Sequence, residues 1–469
     1  MKLSKGMEVK DIVGRTYVVK EKIGEGAQGT VYDTENGAFL IKVIRAEENK
    51  RYEIVNRFKW IMKQNISNEA RIITPISILK EPYIGYVMKK ARGHESLNKY
   101  LYPDINSSLG EWYNVQTGGI RKRLEIAISL SKCYRQLHLQ GLCYCDVSPN
   151  NILVASNQRS IVLIDSDNLT SPSLFSTSIL GTPRYIAPEL FSLNRQPNSI
   201  TDTYAFAVIL FELLRLGHPL VGDMILEGTP EEEEEAVKGH ALYVDHPVED
   251  SNRNSSILPA SIIFTKELQE LFKKMFVDGL HEYMKRPTLY EFTSALQQAE
   301  DQLVQCDNEL CHAYFYRQEG EEQICPWCDE KKQHLAMVEL IETSNISDQL
   351  FENEKMKISR PLSQIVLNSE AKAIYRRHVE PYVTQEADKV IAIVKKMDHD
   401  YLVIRNCSSE DFMMINKVTR AQEVIKPEET KKLNIREDNV VFNLNKDVDE
   451  ICEVFGKNNI FKSIVFTIN

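Results

Sequence analysis

Cys143-Tyr144-Cys145-Asp146-Val147-Ser148-Pro149-Asn150-Asn151-Ile152-Leu153-Val154, followed by Val162-Leu163-Ile164-Asp165, is the stretch from which the rest of the chain is read. It holds an acid, an amide five positions later and a second acid at the end of an apolar run. The three converge on one small volume if the first two sit on a loop and the second acid ends a hairpin strand. Such a trio suits phosphoryl transfer: one carboxylate orients a hydroxyl, while the amide and the other carboxylate hold magnesium on the phosphates.

Upstream, Tyr17-Val18-Val19 leads into Ile23-Gly24-Glu25-Gly26-Ala27-Gln28-Gly29-Thr30-Val31-Tyr32. Glycines at that spacing let a hairpin backbone approach phosphates, which a β-carbon would obstruct. The segment lies between alternating strand patterns and no helix follows it, which disfavours a dinucleotide-binding fold. Phe39-Leu40-Ile41-Lys42-Val43-Ile44 then puts a lysine inside an apolar strand, which is costly without an anionic partner. The spacing of Ile54, Phe58 and Ile61 predicts a helix over 51–64. Residues 72–79 and 83–88 read as two further strands of a five-stranded lobe. Downstream, Leu124, Ala127, Ile128, Leu130 and Leu137 mark an amphipathic helix over 121–139, and the Ser/Thr-rich segment 166–180 reads as a mobile loop. That loop closes on Gly181-Thr182-Pro183-Arg184-Tyr185-Ile186-Ala187-Pro188-Glu189, and Lys285-Arg286-Pro287-Thr288 follows far downstream.

Taken in order, these motifs resemble the protein kinase superfamily. The opening stretch is similar to H-R-D-L-x-x-x-N followed by D-F-G, and residues 181–189 to the G-T-x-x-Y-x-A-P-E segment of Ser/Thr-type kinases. The resemblance implies an α+β, bilobal protein-kinase-like fold over residues 10–300, with a β-rich N-terminal lobe and a helical C-terminal lobe. It implies an ATP-dependent Ser/Thr protein kinase that phosphorylates protein hydroxyls, its own included. ATP would lie under Ile23, Gly24, Gly26 and Gly29, its adenine between Val31, Leu40 and Leu153 and against a hinge at Met88, Lys89 and Ala91. Lys42 would hold the α- and β-phosphates and pair with a helix glutamate, with Glu53 chosen and Glu47, Glu48 and Glu69 as competitors. Asn151 and Asp165 would bind Mg2+, and Asp146 would accept or orient the substrate hydroxyl proton. Asp202, at the start of a helix over 203–216, would anchor the catalytic-loop backbone, and Arg286 would pair with Glu189.

The departures from the family pattern are specific. Tyr144 and Cys145 replace the histidine and arginine before the catalytic aspartate, which removes the cation that pairs with a phosphorylated loop. Ser148 stands where a lysine usually neutralises the γ-phosphate, and Leu40 where the adenine pocket has alanine. Ser166-Asp167-Asn168 replaces the Phe-Gly of D-F-G, leaving Asp167 to assist Asp165 or to cap a turn. Lys42, Asp146, Asn151 and Asp165 are all present, which separates the chain from a degenerate pseudokinase.

The 469 residues call for two or three domains, and 43% hydrophobic with 26% charged residues is a globular composition. A net charge of −10 argues against general adhesion to nucleic acid or anionic membrane. The first six residues carry no signal-peptide core, and the apolar run 204–216, interrupted by Glu212 and Arg215, reads as a buried helix. Nine cysteines, four of them between 306 and 328, suit a reducing compartment with one metal site, and a cytoplasmic location is expected. The glutamate run 231–235 reads as a solvated loop.

Beyond residue 300 the chain reads Cys306-x4-Cys311-His312, then Cys325-Pro326-Trp327-Cys328. A C-x-x-C turn presents two thiolates to a tetrahedral zinc and an upstream pair completes the shell, a redox pair or free thiols being the alternatives. A subgroup of bacterial kinases carries a similar C…H…C-P-W-C ribbon directly after the kinase fold. That resemblance implies a bacterial protein with a structural Zn2+ held by Cys306, His312, Cys325 and Cys328, Cys311 rivalling His312. A zinc ribbon is thus expected over 301–332, a helical linker over 333–383 and a small β-rich domain over 384–469, with a turn at Asp398-His399-Asp400. Residues 333–469 are expected to dock a partner. Lys and Arg do not cluster with aromatics near the cysteines, which makes nucleic acid the less favoured partner. The rival functions are a nucleotide-binding scaffold, a recruitment module built on the ribbon and tail, and phosphorylation of a small molecule.

Overall fold

Alternation along Phe39–Ile44 sends Ile41 and Val43 to one side of a strand and Leu40, Lys42 and Ile44 to the other, and two separate cores result. The computed structural model describes the chain except residues 1, 27, 105, 157–158, 172–180, 192–194, 321, 348–354, 384, 398–400, 435–439, 445–458 and 469. It divides into two compact units, Met1–Gln297 and Gln298–Asn469.

The first unit begins with a six-stranded antiparallel sheet in the order β1-β2-β3-β4-β6-β5. Its strands are β1 (Glu8–Lys10), β2 (Thr16–Glu25), β3 (Gly29–Thr34), β4 (Phe39–Ile44), β5 (Ser77–Ile78) and β6 (Gly85–Lys89). Six strands replace the expected five because Glu8–Lys10 adds to the edge of β2, and of the expected strand over 72–79 Ser77–Ile78 forms the strand on β6, while Ile72 and Leu79 make isolated bridges. One face buries Val19, Tyr32, Ile41 and Val87. The other receives helix α1 (Arg51–Lys63), whose Phe58 packs edge-on against Tyr86 of β6. Lys42 lies on this helix-covered face, directly opposite Tyr86 in the β4–β6 register.

The helical part is built on α2 (Gly119–Leu139) and α3 (Ser199–Arg215). Every residue of α3 from Thr201 to Arg215 is buried, so its apolar run is a core helix. It begins earlier than the expected 203 because Asn198 caps it, accepting from the Ile200 and Thr201 amides. Three short strands, β7 (His94–Ser96) before α2 and β8 (Ile152–Ala155) and β9 (Ile161–Leu163) after it, form a sheet in that order. The glutamate run forms an exposed helical turn, Pro230–Glu235, and not a loop, because Thr229 and Glu232 make a reciprocal capping box.

In the second unit, the hairpin β10 (Leu303–Gln305) and β11 (Tyr314–Tyr316) precedes two sheets. The six-stranded sheet runs β13-β12-β21-β20-β17-β18, from β12 (Ala336–Ser347), β13 (Lys355–Leu367), β17 (Phe412–Asn416), β18 (Gln422–Ile425), β20 (Val440–Asn443) and β21 (Asn459–Ile468). The other, β14-β15-β16-β19, uses β14 (Lys372–Tyr375), β15 (Val390–Lys396), β16 (Tyr401–Asn406) and β19 (Thr430–Asn434). The helical linker expected over 333–383 is therefore mostly strand, with one short helix, Arg376–Val379. Leu335, Val338 and Ile341 fit a helical spacing, but Ala336, Val338 and Leu340 are the residues buried in the sandwich core. Pairing of β12 on both edges, Val338 opposite Ile365 of β13 and Phe466 of the distant β21, decides the period. Leu335 and Met337 point the other way, into the cysteine hairpin, so hairpin and sandwich share one compact unit. The expected turn at 398–400 lies outside the described residues.

Candidate functional site

The loop after α2 is held by α3: the Asp202 carboxylate accepts from the Tyr144 and Cys145 amides at 2.8 and 3.0 Å. These bonds hold Cys145 at φ +67 and turn the chain so that Asp146 faces the segment after Gly181. A β-carbon on Gly181, at φ +120, would stand 2.5 Å from the Cys145 carbonyl oxygen, so the close approach of the two segments requires glycine. Asp146 then accepts from Thr182 Oγ1 at 2.9 Å on one oxygen and from Asn168 Nδ2 at 3.1 Å on the other. Asn151 donates its Nδ2 to the Asp146 carbonyl at 2.9 Å, and its own carbonyl accepts from the Ile164 amide. That last bond ties the loop to the end of β9, where Asp165 turns left-handed at φ +61.

Lys42 Nζ lies 2.6 Å from Asp165 Oδ1 and 2.8 Å from Asp167 Oδ2. Tyr86 Oη donates to the other Asp167 oxygen at 2.7 Å. Burial opposes the Lys42 charge, but the Asp167 and Asp165 carboxylates outweigh it and raise its pKa above the ordinary lysine value. Burial also lifts the Asp167 pKa above the usual carboxylate value, against the pull of Lys42. Tyr86, buried and facing both acids, has its pKa pushed well up and remains a hydroxyl donor.

Glu53 does not fill the role the sequence suggested. It is exposed, and among the described residues the carboxylates on Lys42 are Asp165 and Asp167. The helix reaches the site through Arg57, which donates to the Asp167 and Leu169 carbonyls at 3.3 and 2.5 Å. Glu69, one of the competitors, accepts from Gln136, and Glu48 pairs with Arg51.

For the nucleotide, Val31 and Leu40 are half-buried beside Met88, and Leu40 stands opposite Met88 across β4 and β6. Ala91 and Leu153 are half-buried, while Ile23 and Lys89 are exposed. Gly29 is required by the protein itself, since a β-carbon there would lie 2.3 Å from the Val43 carbonyl. Gly24 and Gly26 have open space where a β-carbon would stand, which leaves a phosphate room to approach.

In the second unit, the sulfurs of Cys306, Cys311, Cys325 and Cys328 all lie within 4.8 Å of one another, a donor set that fits a tetrahedral metal. Cys311, not His312, joins this group. Cys311 ends the turn begun at Asn308, and His312 sits next to it at φ +53 with its ring outside the sulfur group.

Sequence reasoning missed Asn168, Arg57 and Tyr86, and left Asp167 undecided. Tyr86 was within reach, because pairing β4 with β6 sets it opposite Lys42. The other three act through turn geometry that spacing does not reveal.

A model of the protein kinase domain matches residues 17–299. The sporulation protein kinase mde3 of Schizosaccharomyces pombe is 26% identical over 219 residues, which are 43% of this chain and 37% of that protein. A dual serine/threonine and tyrosine protein kinase of Gallus gallus is 30% identical over 203 residues, 42% of this chain and 20% of its own length. Its Mus musculus counterpart is 26% identical over 296 residues, 62% of this chain and 28% of that protein. The chain thus spans well under half the length of these relatives.

Proposed function

The chain belongs to the protein kinase family, and we propose that it transfers the γ-phosphate of ATP to serine and threonine hydroxyls of proteins, itself included. The observation that carries this reading is Asp146, held by Thr182 and Asn168 and tied through Asn151 and Ile164 to the turn where Asp165 meets Lys42. In this reading the substrate hydroxyl gives its proton toward Asp146 as its oxygen bonds to the γ-phosphorus, and the bond from that phosphorus to the β–γ bridging oxygen breaks to release ADP. Lys42 steadies the α- and β-phosphates under the glycine loop, with the adenine against Val31, Leu40 and Leu153 and along Met88, Lys89 and Ala91. Asn151, whose amide nitrogen is already committed, offers its oxygen with Asp165 to Mg2+, which would neutralise phosphate charge. Serine/threonine preference is drawn from Gly181–Glu189, whereas relatives described as dual-specificity kinases make tyrosine the competing acceptor.

The four clustered cysteines support a structural Zn2+, since four protein ligands leave no open position. Residues 333–469 are proposed to dock a partner protein. No described helix is long and apolar enough to cross a membrane. Cysteine usage and the resemblance of the C-P-W-C segment are what favour a cytoplasmic, bacterial setting.

Incubation of the full chain with ATP and Mg2+, followed by phosphosite mass spectrometry, tests the proposal. Phosphoserine or phosphothreonine in the wild type, and none in Asp146→Asn or Lys42→Ala variants that still fold, is the expected result. Ser176, Thr177 and Ser178, natural acceptors, lie outside the described residues. Phosphate transfer retained in both variants would refute the roles assigned. Ser148 in place of a phosphate-neutralising lysine favours a second reading, a nucleotide-binding scaffold. Stabilisation by ATP without any transfer would select it.

A further inference from the structure

In the kinase reading above, the phosphate-holding lysine needs a carboxylate that stays with it once Asp165 turns to the metal. Helix α1 supplies none: Glu53 is exposed, and the helix sends Arg57 to the turn instead. The turn supplies one itself. Asp167 stands 2.8 Å from Lys42 Nζ with its side chain 11% exposed, and its second oxygen is held by Tyr86. Tyr86 is in turn fixed by Phe58 of α1, ring centroids 4.8 Å apart. We propose that Asp167, in the position where the family pattern has glycine, is the standing ion-pair partner that positions Lys42, so that lysine and metal turn act as one piece independent of a helix glutamate.

The geometry gives each member a distinct place. Asp165 has the more open carboxylate, 27% exposed, and is free to leave Lys42 for a metal. Asp167 is anchored from two sides and remains. Ser166, buried where a phenylalanine would stand, leaves the helix–turn contact to Arg57, which grips the Asp167 and Leu169 carbonyls. Helix α1 is thus coupled to the turn through backbone carbonyls and Tyr86, and a shift of α1 would carry the lysine's partner with it. Asp167 is a positioning residue: it acts on nucleotide only through Lys42.

This inference rests on the kinase reading, and its test uses the full-length protein with ATP–Mg2+. Nucleotide affinity and the steady-state KM for ATP and kcat are measured for Asp167→Asn, Asp167→Gly and Glu53→Ala, each also in a Lys42→Met background. Loss of one charged hydrogen-bond partner predicts a drop of about 10- to 100-fold in ATP affinity or kcat/KM for both Asp167 variants, and less than about twofold for E53A. In the Lys42→Met background the Asp167→Asn change should add nothing, whereas a merely structural role would lower affinity there too. Tyr86→Phe, which keeps the packing on Phe58 and removes only the hydroxyl, should weaken ATP binding in the same direction. Wild-type affinity in D167N, an undiminished effect without Lys42, or a loss in E53A equal to that in D167N would each overturn the inference. Because affinity is read apart from turnover, a wild type that binds ATP but transfers nothing refutes only the kinase reading. A wild type that binds no ATP refutes both.

Discussion

Replacing Arg286 with alanine removes the cation that joins the segment after Gly181 to the end of the first unit's helical part. Its Nη1 and Nη2 donate to the two oxygens of Glu189, both at 2.7 Å, and Nε and Nη2 donate to the Gly279 and Leu280 carbonyls. The guanidinium also lies 4.7 Å over the Tyr204 ring. With side chains 1% and 13% exposed, the pair is effectively out of water. Truncating one partner leaves a buried carboxylate without its cation and two carbonyls without their donor, a loss of about 3–5 kcal/mol. Against a net stability of about 5–15 kcal/mol that is a large fraction. The pair as a whole is worth little over a well-packed apolar replacement, because both charges were desolvated to form it. The expectation is therefore asymmetric: R286A, and to a lesser degree R286K, which cannot bond both oxygens in one plane, destabilise more than the double variant E189Q/R286M. Urea unfolding of the full chain followed by circular dichroism should show the first unit's transition about 1–2 M lower for R286A, taking an m-value near 3 kcal/mol/M. A loss under about 1 kcal/mol, the scale of exposed pairs, would refute the argument. So would a double variant whose loss equals the sum of the singles.

Two further outcomes follow from side chains away from the nucleotide. His218 is buried as a neutral ring, Nδ1 accepting from the Leu220 amide and Nε2 donating to the Arg184 carbonyl, and burial followed by the Arg184 charge holds its pKa well below 6.5. A depressed folded pKa means the unfolded chain takes up the proton first, so this stability is complete above pH 6.5 and lost as pH falls below it. The urea midpoint should decline below that pH, with a slope of up to about 1.4 kcal/mol per pH unit from this residue. His218→Leu should flatten that slope, and an unchanged profile would remove the assignment. For the cysteine cluster, elemental analysis of protein produced with ample zinc should find about one zinc per chain. Cys311→Ser or Cys325→Ser should lose the metal and lower the second unit's melting temperature, whereas His312→Ala should do neither. Metal retained in C311S and lost in H312A would restore the histidine ligand.

How much of this was legible in the chain depends on the range of each interaction. Local chemistry was readable: glycines where a hairpin nears phosphate, a lysine in an apolar strand, an aspartate with an amide one loop-turn away. The joining of Arg286 to Glu189 was readable too, because a late arginine and an early glutamate each sat in a recognisable motif. The partner of Lys42 was not, since Glu53 and Arg57 share one face of α1 a turn apart, and spacing cannot tell which of them lies level with the site. In the folded chain Glu53 is exposed while Arg57 reaches the Asp167 and Leu169 carbonyls, and beyond the left-handed Asp165 the turn sets Asp167 against Tyr86. Cys311 and His312 posed a similar choice between adjacent side chains, and the turn from Asn308 decided it.

The stretch over 333–383 shows the limit most clearly. Its apolar residues fit a helix as well as a strand, and pairing on both edges resolves the period, with β13 in a local hairpin (Ala336 opposite Leu367) and with the distant β21 (Ala336 opposite Ile468). The amino-acid order alone therefore determined which groups carry charge, which backbone positions stay free of a side chain, and that phosphate chemistry has its residues. Tertiary structure alone decided which carboxylate holds the lysine, which sulfurs meet and which face of 336–343 is buried. Those outcomes depend on burial and on pairing between distant segments, neither of which exists until the chain has folded.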